Sequence, residues 1–299
     1  MVRGSDPLER YMLLAIAQAE TSLRIGNHGF GAVVIKNGDI VAQEHDSDET
    51  DRDPTAHAEL KAIRKASSLV GMDLSACALV CTHEPCPMCS GAIVWSRIGL
   101  VAYGYGIVDA IAEGRDRIDV NCEEIFSRSR AAVRLQKGLL KERCAVLYDR
   151  RVREEIQKLR NASDEVLATY DLQSRRKRLQ WYSSRSPESS SSNDPLADAY
   201  RLLLDKLGIP ETEAPVVHKD RGRIVFHSVN YCPTLEACKI LQLDTRRVCR
   251  LYNEGATQVL IRQIDSRLSF TRNYEMLRPQ SEYCEEQIEY RREGSDREF

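Results

Sequence analysis

His57-Ala58-Glu59 and, further on, Pro85-Cys86-Pro87-Met88-Cys89 are the stretches that decide how this chain folds and what chemistry it carries. Together they supply one imidazole, two thiols and one carboxylate that need not be a ligand. A structural zinc site closes with four protein ligands, whereas a catalytic one uses three and keeps a position for water. His57, Cys86 and Cys89 make three, which leaves Glu59 to move protons beside that water. A redox pair has no use for His-x-Glu, and a structural zinc needs a fourth ligand. Cys81 and His83 are the nearest candidates for that role, but they fall on a strand and its exit.

Local sequence gives each group a place. The apolar run Ala92-Ile-Val-Trp95 reads as a helix whose first turn holds Cys86 and Cys89. There the helix dipole favours anions and lowers thiol pKa values. Thr55 or Asp53 is expected to cap a second helix from about residue 56, with Ala58, Leu60, Ala62, Ile63 and Ala66 at apolar positions. His57 and Glu59 then sit at its start. The order H-x-E…P-C-x-x-C is the pattern of zinc enzymes that deaminate nucleobases, where the metal lowers the pKa of its water to about 7.

Outward from these motifs, residues 7–24 read as an amphipathic helix, and Gly31-Ala-Val-Val-Ile-Lys36 with Asp39-Ile-Val-Ala-Gln43 as a hairpin closed by Asn37-Gly38. Further strands are expected at 77–82, 99–103 and 132–135, and a helix from about Leu139. Strands alternating with crossover helices predict a three-layer α/β/α domain over residues 1–160. The 299 residues are enough for two domains, and 42% of them are hydrophobic.

The net charge of −2 argues against wholesale nucleic-acid binding. Residues 1–150 carry 18 Lys and Arg against 21 Asp and Glu, and the acidic loop 46–53 is expected to repel phosphates. Ten cysteines, spread through core-like segments, suggest reduced thiols and a cytoplasmic protein. The first residues do not look like a signal peptide, and no apolar run is long enough for a membrane span.

Four stretches carry a resemblance: Phe30-Gly-Ala-Val-Val-Ile35, Asp53-Pro-Thr-Ala-His-Ala-Glu59, Glu84-Pro-Cys-Pro-Met-Cys-Ser-Gly-Ala-Ile93 and Trp95-Ser-Arg-Ile98. Through them, residues 7–150 resemble the cytidine deaminase-like superfamily, in the branch of guanine deaminases and tRNA adenosine deaminases. The resemblance implies a mixed five-stranded sheet, a homodimer or higher oligomer, and a small nucleobase or nucleoside as substrate, with nucleic acid the less expected partner. It places zinc on His57, Cys86 and Cys89, the proton shuttle on Glu59, and oxygen-supporting backbone around Pro85 and Cys86. Phe30, Ala58, Pro85 and Asp109, in the turn 107–114, become candidate substrate contacts. Asp46 stands where the family usually has an Asn that reads the base edge. A carboxylate only accepts, so Asp46 predicts a ring that presents N–H there, unless it is protonated or solvated. The alternatives are a tRNA adenosine deaminase and a non-catalytic zinc module.

A helical, charged extension and the Ser-rich stretch 183–193 follow, read as 161–193, with Arg175-Arg-Lys-Arg178 taken as a solvated face. Residues 194–299 are expected to form a smaller α+β domain. Its elements are a helix at 195–207, a strand at 223–229, short helices at 231–241 and 245–250, and a closing hairpin of 257–264 with 268–274. Asn230-Tyr-Cys-Pro and Glu236-Ala-Cys give it a faint resemblance to the 2-amino-thiazoline-4-carboxylate hydrolase-like group. His227, Cys232, Cys238 and Cys249 match no zinc spacing and are read as core residues.

Overall fold

The protein is described from a computed structural model over residues 6–185 and 193–291, so most of the Ser-rich stretch lies outside the described residues. Two compact units emerge, one up to Gln157 and one from Lys158.

The first unit is a three-layer α/β/α domain around a mixed five-stranded sheet in the order β2-β1-β3-β4-β5. The strands are β1 (Gly31–Lys36), β2 (Asp39–His45), β3 (Cys77–His83), β4 (Leu100–Tyr105) and β5 (Arg134–Lys137). β1 pairs antiparallel with β2 and β3, and β3, β4 and β5 run parallel. β1, β3 and β4 are buried almost throughout. Nearly unbroken apolar strands of that kind are covered on both faces. α1 (Glu9–Ile25) and α7 (Lys141–Tyr148) cover one face. α1 lies so close that a Cβ on Gly31 would stand 1.9 Å from the Ala15 carbonyl oxygen. On the other face, α3 (Ala58–Val70) and α4 (Pro87–Ser96) pack Ala62, Ile63 and Ile93 against Val34, Leu79 and Val101. The parallel strands therefore end where α3 and α4 begin, and the motif residues meet there.

Some local expectations change. Neither Thr55 nor Asp53 caps α3. His57 is its N-cap, and Asp53 instead accepts from the Thr55 N–H and hydroxyl. The acidic loop contains a short helix, α2 (Asp48–Asp51), and α5 (Ile107–Ala112) and α6 (Cys122–Ser127) lie between β4 and β5. α8 (Arg150–Leu159) follows α7.

The second unit is α+β, with an antiparallel sheet β6-β7-β9-β8: β6 (Val216–Lys219), β7 (Arg223–Ser228), β8 (Leu268–Arg272) and β9 (Cys284–Tyr290). Its helices are α9 (Asp164–Ser183), α10 (Pro195–Leu207), α11 (Pro233–Leu241), α12 (Thr245–Cys249) and α13 (Gly255–Ile261), with a π-helical turn at Arg250–Glu254. The expected hairpin of 257–264 with 268–274 is corrected here. Ala256, Thr257, Leu260 and Ile261 are buried at helical spacing, and β8 pairs with β9 instead. The basic cluster is corrected too. Arg175 pairs with buried Asp171 at 2.5 Å and Arg178 donates to Thr257 at 2.8 Å, so only Arg176 and Lys177 are solvated. Burial pushes the Arg178 pKa down to about 10. His227 stacks on Tyr283 and meets Glu285, and Cys238 is fully buried. Among the described residues these groups form no metal-ligating cluster. No helix among the described residues is long and apolar enough to cross a membrane.

Candidate metal centre and substrate cleft

α3 begins at His57 and α4 at Cys86, and both residues have extended backbone just ahead of their helix. Pro87 occupies the first turn of α4, where its missing N–H costs nothing. Cys89 comes round on the same turn. The His57 Nδ1 is 3.6 Å from the Cys86 Sγ and 3.6 Å from the Cys89 Sγ. Zinc bonds of about 2.3 Å to sulfur and about 2.0 Å to nitrogen at tetrahedral angles put donor N and S about 3.5 Å apart. The three side chains are therefore spaced as ligands of one zinc ion. All three donor atoms lie within 4.8 Å of one another. Neither Cys81 nor His83 joins them. The Cys81 thiol is directed at the Ala102 carbonyl and the His83 Nδ1 at the Glu84 carbonyl.

The electrostatics suit a soft metal. The hydrogen bond that Cys86 and Cys89 share, with His57 beside it, holds the Cys86 thiol well below its ordinary value and pushes the Cys89 thiol up, so the pair carries one negative charge between them. Glu59 is buried at 5% exposure, and its Oε2 is 3.6 Å from the Cys89 Sγ. Burial, and then the Cys86 charge, raises its pKa to about 7. A carboxyl with that affinity both takes and gives a proton near neutral pH.

These groups open onto a cleft of about 460 Å³, whose lining includes Phe30, Asp46, His83, Ile107, Arg115, Arg117 and Arg153. Phe30 lines it as expected. Asp46 also lines it, but its acceptors are largely spent. Oδ1 takes the Ser22 hydroxyl at 2.5 Å and the Phe30 N–H at 2.7 Å, and Oδ2 takes the His28 N–H at 2.8 Å. The base-reading role expected for Asp46 gives way to an anchoring one, because two backbone donors of the 28–30 segment and the Ser22 hydroxyl of α1 converge on it. Asp109 lies outside the lining and pairs with Lys141 at 2.8 Å; Ile107 is the lining residue of that turn. Ala58 is the first residue of α3 and is buried in the core. Pro85 has no N–H to offer an oxygen, and its carbonyl accepts from the Ser90 hydroxyl.

Sequence reasoning overlooked Glu84 and weighed His83 only as a fourth metal ligand. Glu84 is buried, and its carboxylate accepts from the Ile107 N–H and the Cys122 N–H, both at 2.9 Å. It thereby ties the starts of α5 and α6 to the strand that leads into Cys86 and Cys89. His83 is buried against Phe30, Tyr105 and Tyr148, and its Nε2 has no hydrogen-bond partner. Burial pushes its pKa down to about 4, which favours the neutral ring, and His83 is among the residues that line the cleft. The run Thr82-His-Glu84, polar residues at the end of an apolar strand, was the available signal.

A three-layer α/β/α domain that gathers one histidine, two cysteines and a buried glutamate at its helix starts defines a zinc-dependent hydrolytic deaminase. Residues 5–105 match the family described as the cytidine and deoxycytidylate deaminase zinc-binding region. Guanine deaminase from Bacillus subtilis is 43% identical over 110 residues, which are 36% of this chain and 70% of that protein. The tRNA-specific adenosine deaminase of the same organism is 35% identical over 147 residues, 49% of this chain and 89% of that protein. A solved chain from work on A-to-I editing by tRNA:A34 deaminases covers 46% of this chain at 28% identity, with a TM-score of 0.41. The chain belongs to the cytidine and deoxycytidylate deaminase family and binds zinc.

Proposed function

We propose that this protein hydrolytically deaminates a nucleobase or a derivative of one, with His57, Cys86 and Cys89 as zinc ligands and Glu59 as proton shuttle. The observation that carries the reading is the pair of 3.6 Å separations from the His57 Nδ1 to both sulfurs, with the Glu59 carboxylate 3.6 Å from the Cys89 Sγ. Zinc bound there supplies a Lewis acid that lowers the pKa of water to about 7. Glu59 removes a proton from the water and passes it to the ring nitrogen beside the amidine carbon. It then hands the second proton to the leaving amine. The water oxygen bonds to the amidine carbon, the C–N bond to the amine breaks, ammonia departs, and that carbon is left as a carbonyl.

Other residues orient the ring. Phe30 offers a face or edge to a flat heterocycle, and its own place is set by the Asp46 carboxylate beneath its N–H. The His83 Nε2 accepts from an N–H of the base. The apolar side chains of Phe30 and Ile107 beside them lower the local dielectric and strengthen both contacts.

Ammonia release from a panel of bases, nucleosides and nucleotides tests the reading. Glu59→Gln is expected to lower turnover by about 10³-fold while zinc content stays at one per chain. Undiminished turnover in that variant would remove Glu59 from the mechanism. An inert wild-type protein with full zinc would favour a non-catalytic module.

A further inference from the structure

The cleft that holds Glu59 also holds Arg115, Arg117 and Arg153, and deamination as described uses none of them. Two come from the extended stretch after α5, where Arg115 and Arg117 are half-buried while Asp116 and Ile118 between and beyond them are exposed. The third comes from α8. Aromatic rings hold the first two in place: the Arg117 guanidinium lies 5.6 Å from the Phe30 ring centre and that of Arg115 lies 5.7 Å from Tyr148. The Arg153 Nη1 donates to the His28 carbonyl at 2.7 Å.

Carboxylates share this lining, but among the described residues none forms a close ion pair with these guanidiniums. Among the described residues, no carboxylate pairs with Arg117 or Arg153, and Arg115 reaches Glu113 only at 4.0 Å. Of the acids in the lining, Asp46 has its three donors and Glu84 its two backbone N–H groups, Asp48 meets the His28 imidazole at 3.1 Å through one oxygen while its other oxygen has no hydrogen-bond partner, and Asp116 is exposed. Burial, and then the neighbouring Arg115, lowers the pKa of both Arg117 and Arg153. Like charges gathered in a half-buried wall are unfavourable until an anion joins them.

We propose that Arg115, Arg117 and Arg153 form a phosphate subsite, and that the substrate is a nucleoside monophosphate whose base lies toward Glu59. The proposal rests on the deaminase reading above and sharpens its substrate class. Three planar guanidiniums from two chain segments suit a phosphate monoester, whose oxygens accept paired N–H bonds from several directions. The cleft of about 460 Å³ also falls among pockets that enclose ligands larger than a bare ring.

The test uses the full-length zinc protein. Cytosine, adenine and guanine are each supplied as free base, nucleoside and nucleoside 5′-monophosphate, with ammonia release and calorimetric binding measured in parallel. One monophosphate is expected to exceed its nucleoside by at least about 30-fold in kcat/KM. Arg117→Ala and Arg153→Ala should each cut that ratio by about tenfold, mainly through KM, and Arg117→Lys should keep part of it. Thermal unfolding of each variant reports whether it folds. Should one fail to fold, inhibition of the wild type by inorganic phosphate, competitive against the monophosphate, decides instead, and absence of such inhibition counts against the subsite.

Equal turnover of base, nucleoside and monophosphate overturns the subsite and leaves the deaminase reading standing. So does equal loss on every substrate in the arginine variants. Turnover of an anticodon stem-loop alone overturns it in favour of polynucleotide phosphates. Arginine-dependent binding of a monophosphate without ammonia release sustains the subsite and sinks the deaminase reading. Neither turnover nor binding sinks both.

Discussion

α4 and α11 both begin with Cys-Pro, at Cys86-Pro87 in the first unit and Cys232-Pro233 in the second, and the chain uses the two starts in opposite ways. In each, the cysteine is the N-cap and the proline fills the first helical turn. The Cys232 Sγ accepts from the Leu235 N–H at 3.4 Å and so serves its own helix. The Cys86 side chain makes no such cap and instead faces His57 across 3.6 Å. Three residues on stands Cys89 in one case and Leu235 in the other. The same dipeptide at a helix start therefore does not fix the state of its sulfur: burial raises the Cys232 pKa while hydrogen bonds from Cys89 and His57 lower that of Cys86, so the partners brought by other elements decide what each sulfur does.

Substitutions at the two starts sharpen that contrast. Cys86→Ser is expected to have the largest effect: zinc falls well below one per chain and ammonia release drops by more than about 10³-fold. Retained zinc and turnover would place Cys86 with Cys232, as a local residue.

Asp46 belongs with Cys232 among acceptors consumed by the protein itself. Asp46→Asn keeps one acceptor oxygen but turns the other into an amide donor, so at least one of the three donors loses its acceptor and unfolding free energy should fall by about 1–3 kcal/mol. Denaturant titration measures this, and an unchanged midpoint would return Asp46 to the substrate.

Cys232→Ala carries the smallest expected change, a loss of about 1 kcal/mol on the same measurement with zinc and turnover intact. A loss of metal in that variant would erase the distinction between the starts.

Much of the first unit was legible because its signals are local. Asn37-Gly38 fixed the hairpin, the apolar runs gave β1, β3 and β4, and the His57 and Cys86 motifs marked two helix starts. What stayed hidden depends on residues distant in sequence. Arg153 meets Arg115 and Arg117 only once α8 and the stretch after α5 share a cleft, and the count of charges over 1–150 averaged them away. The acidic loop looked repulsive to phosphate, yet its carboxylates turn to Ser22, His28 and Thr55.

In the second unit, β-branched Thr257, Val259 and Ile261 suggested a strand, but burial at helical spacing prevailed. β9 was missed because Cys284-Glu-Glu-Gln-Ile-Glu-Tyr290 reads as a polar tail. Its inward residues are Glu286, paired with Arg272 and Ser228, and Ile288, and only the finished sheet reveals the alternation.

X-ray absorption at the zinc edge of the purified protein tests the central claim most directly. The account predicts one zinc per chain with two sulfur neighbours at about 2.3 Å and two nitrogen or oxygen neighbours at about 2.0 Å, one of the latter exchangeable with solvent. Three or four sulfurs, a closed shell of protein ligands, or a folded protein that takes up no zinc would contradict it.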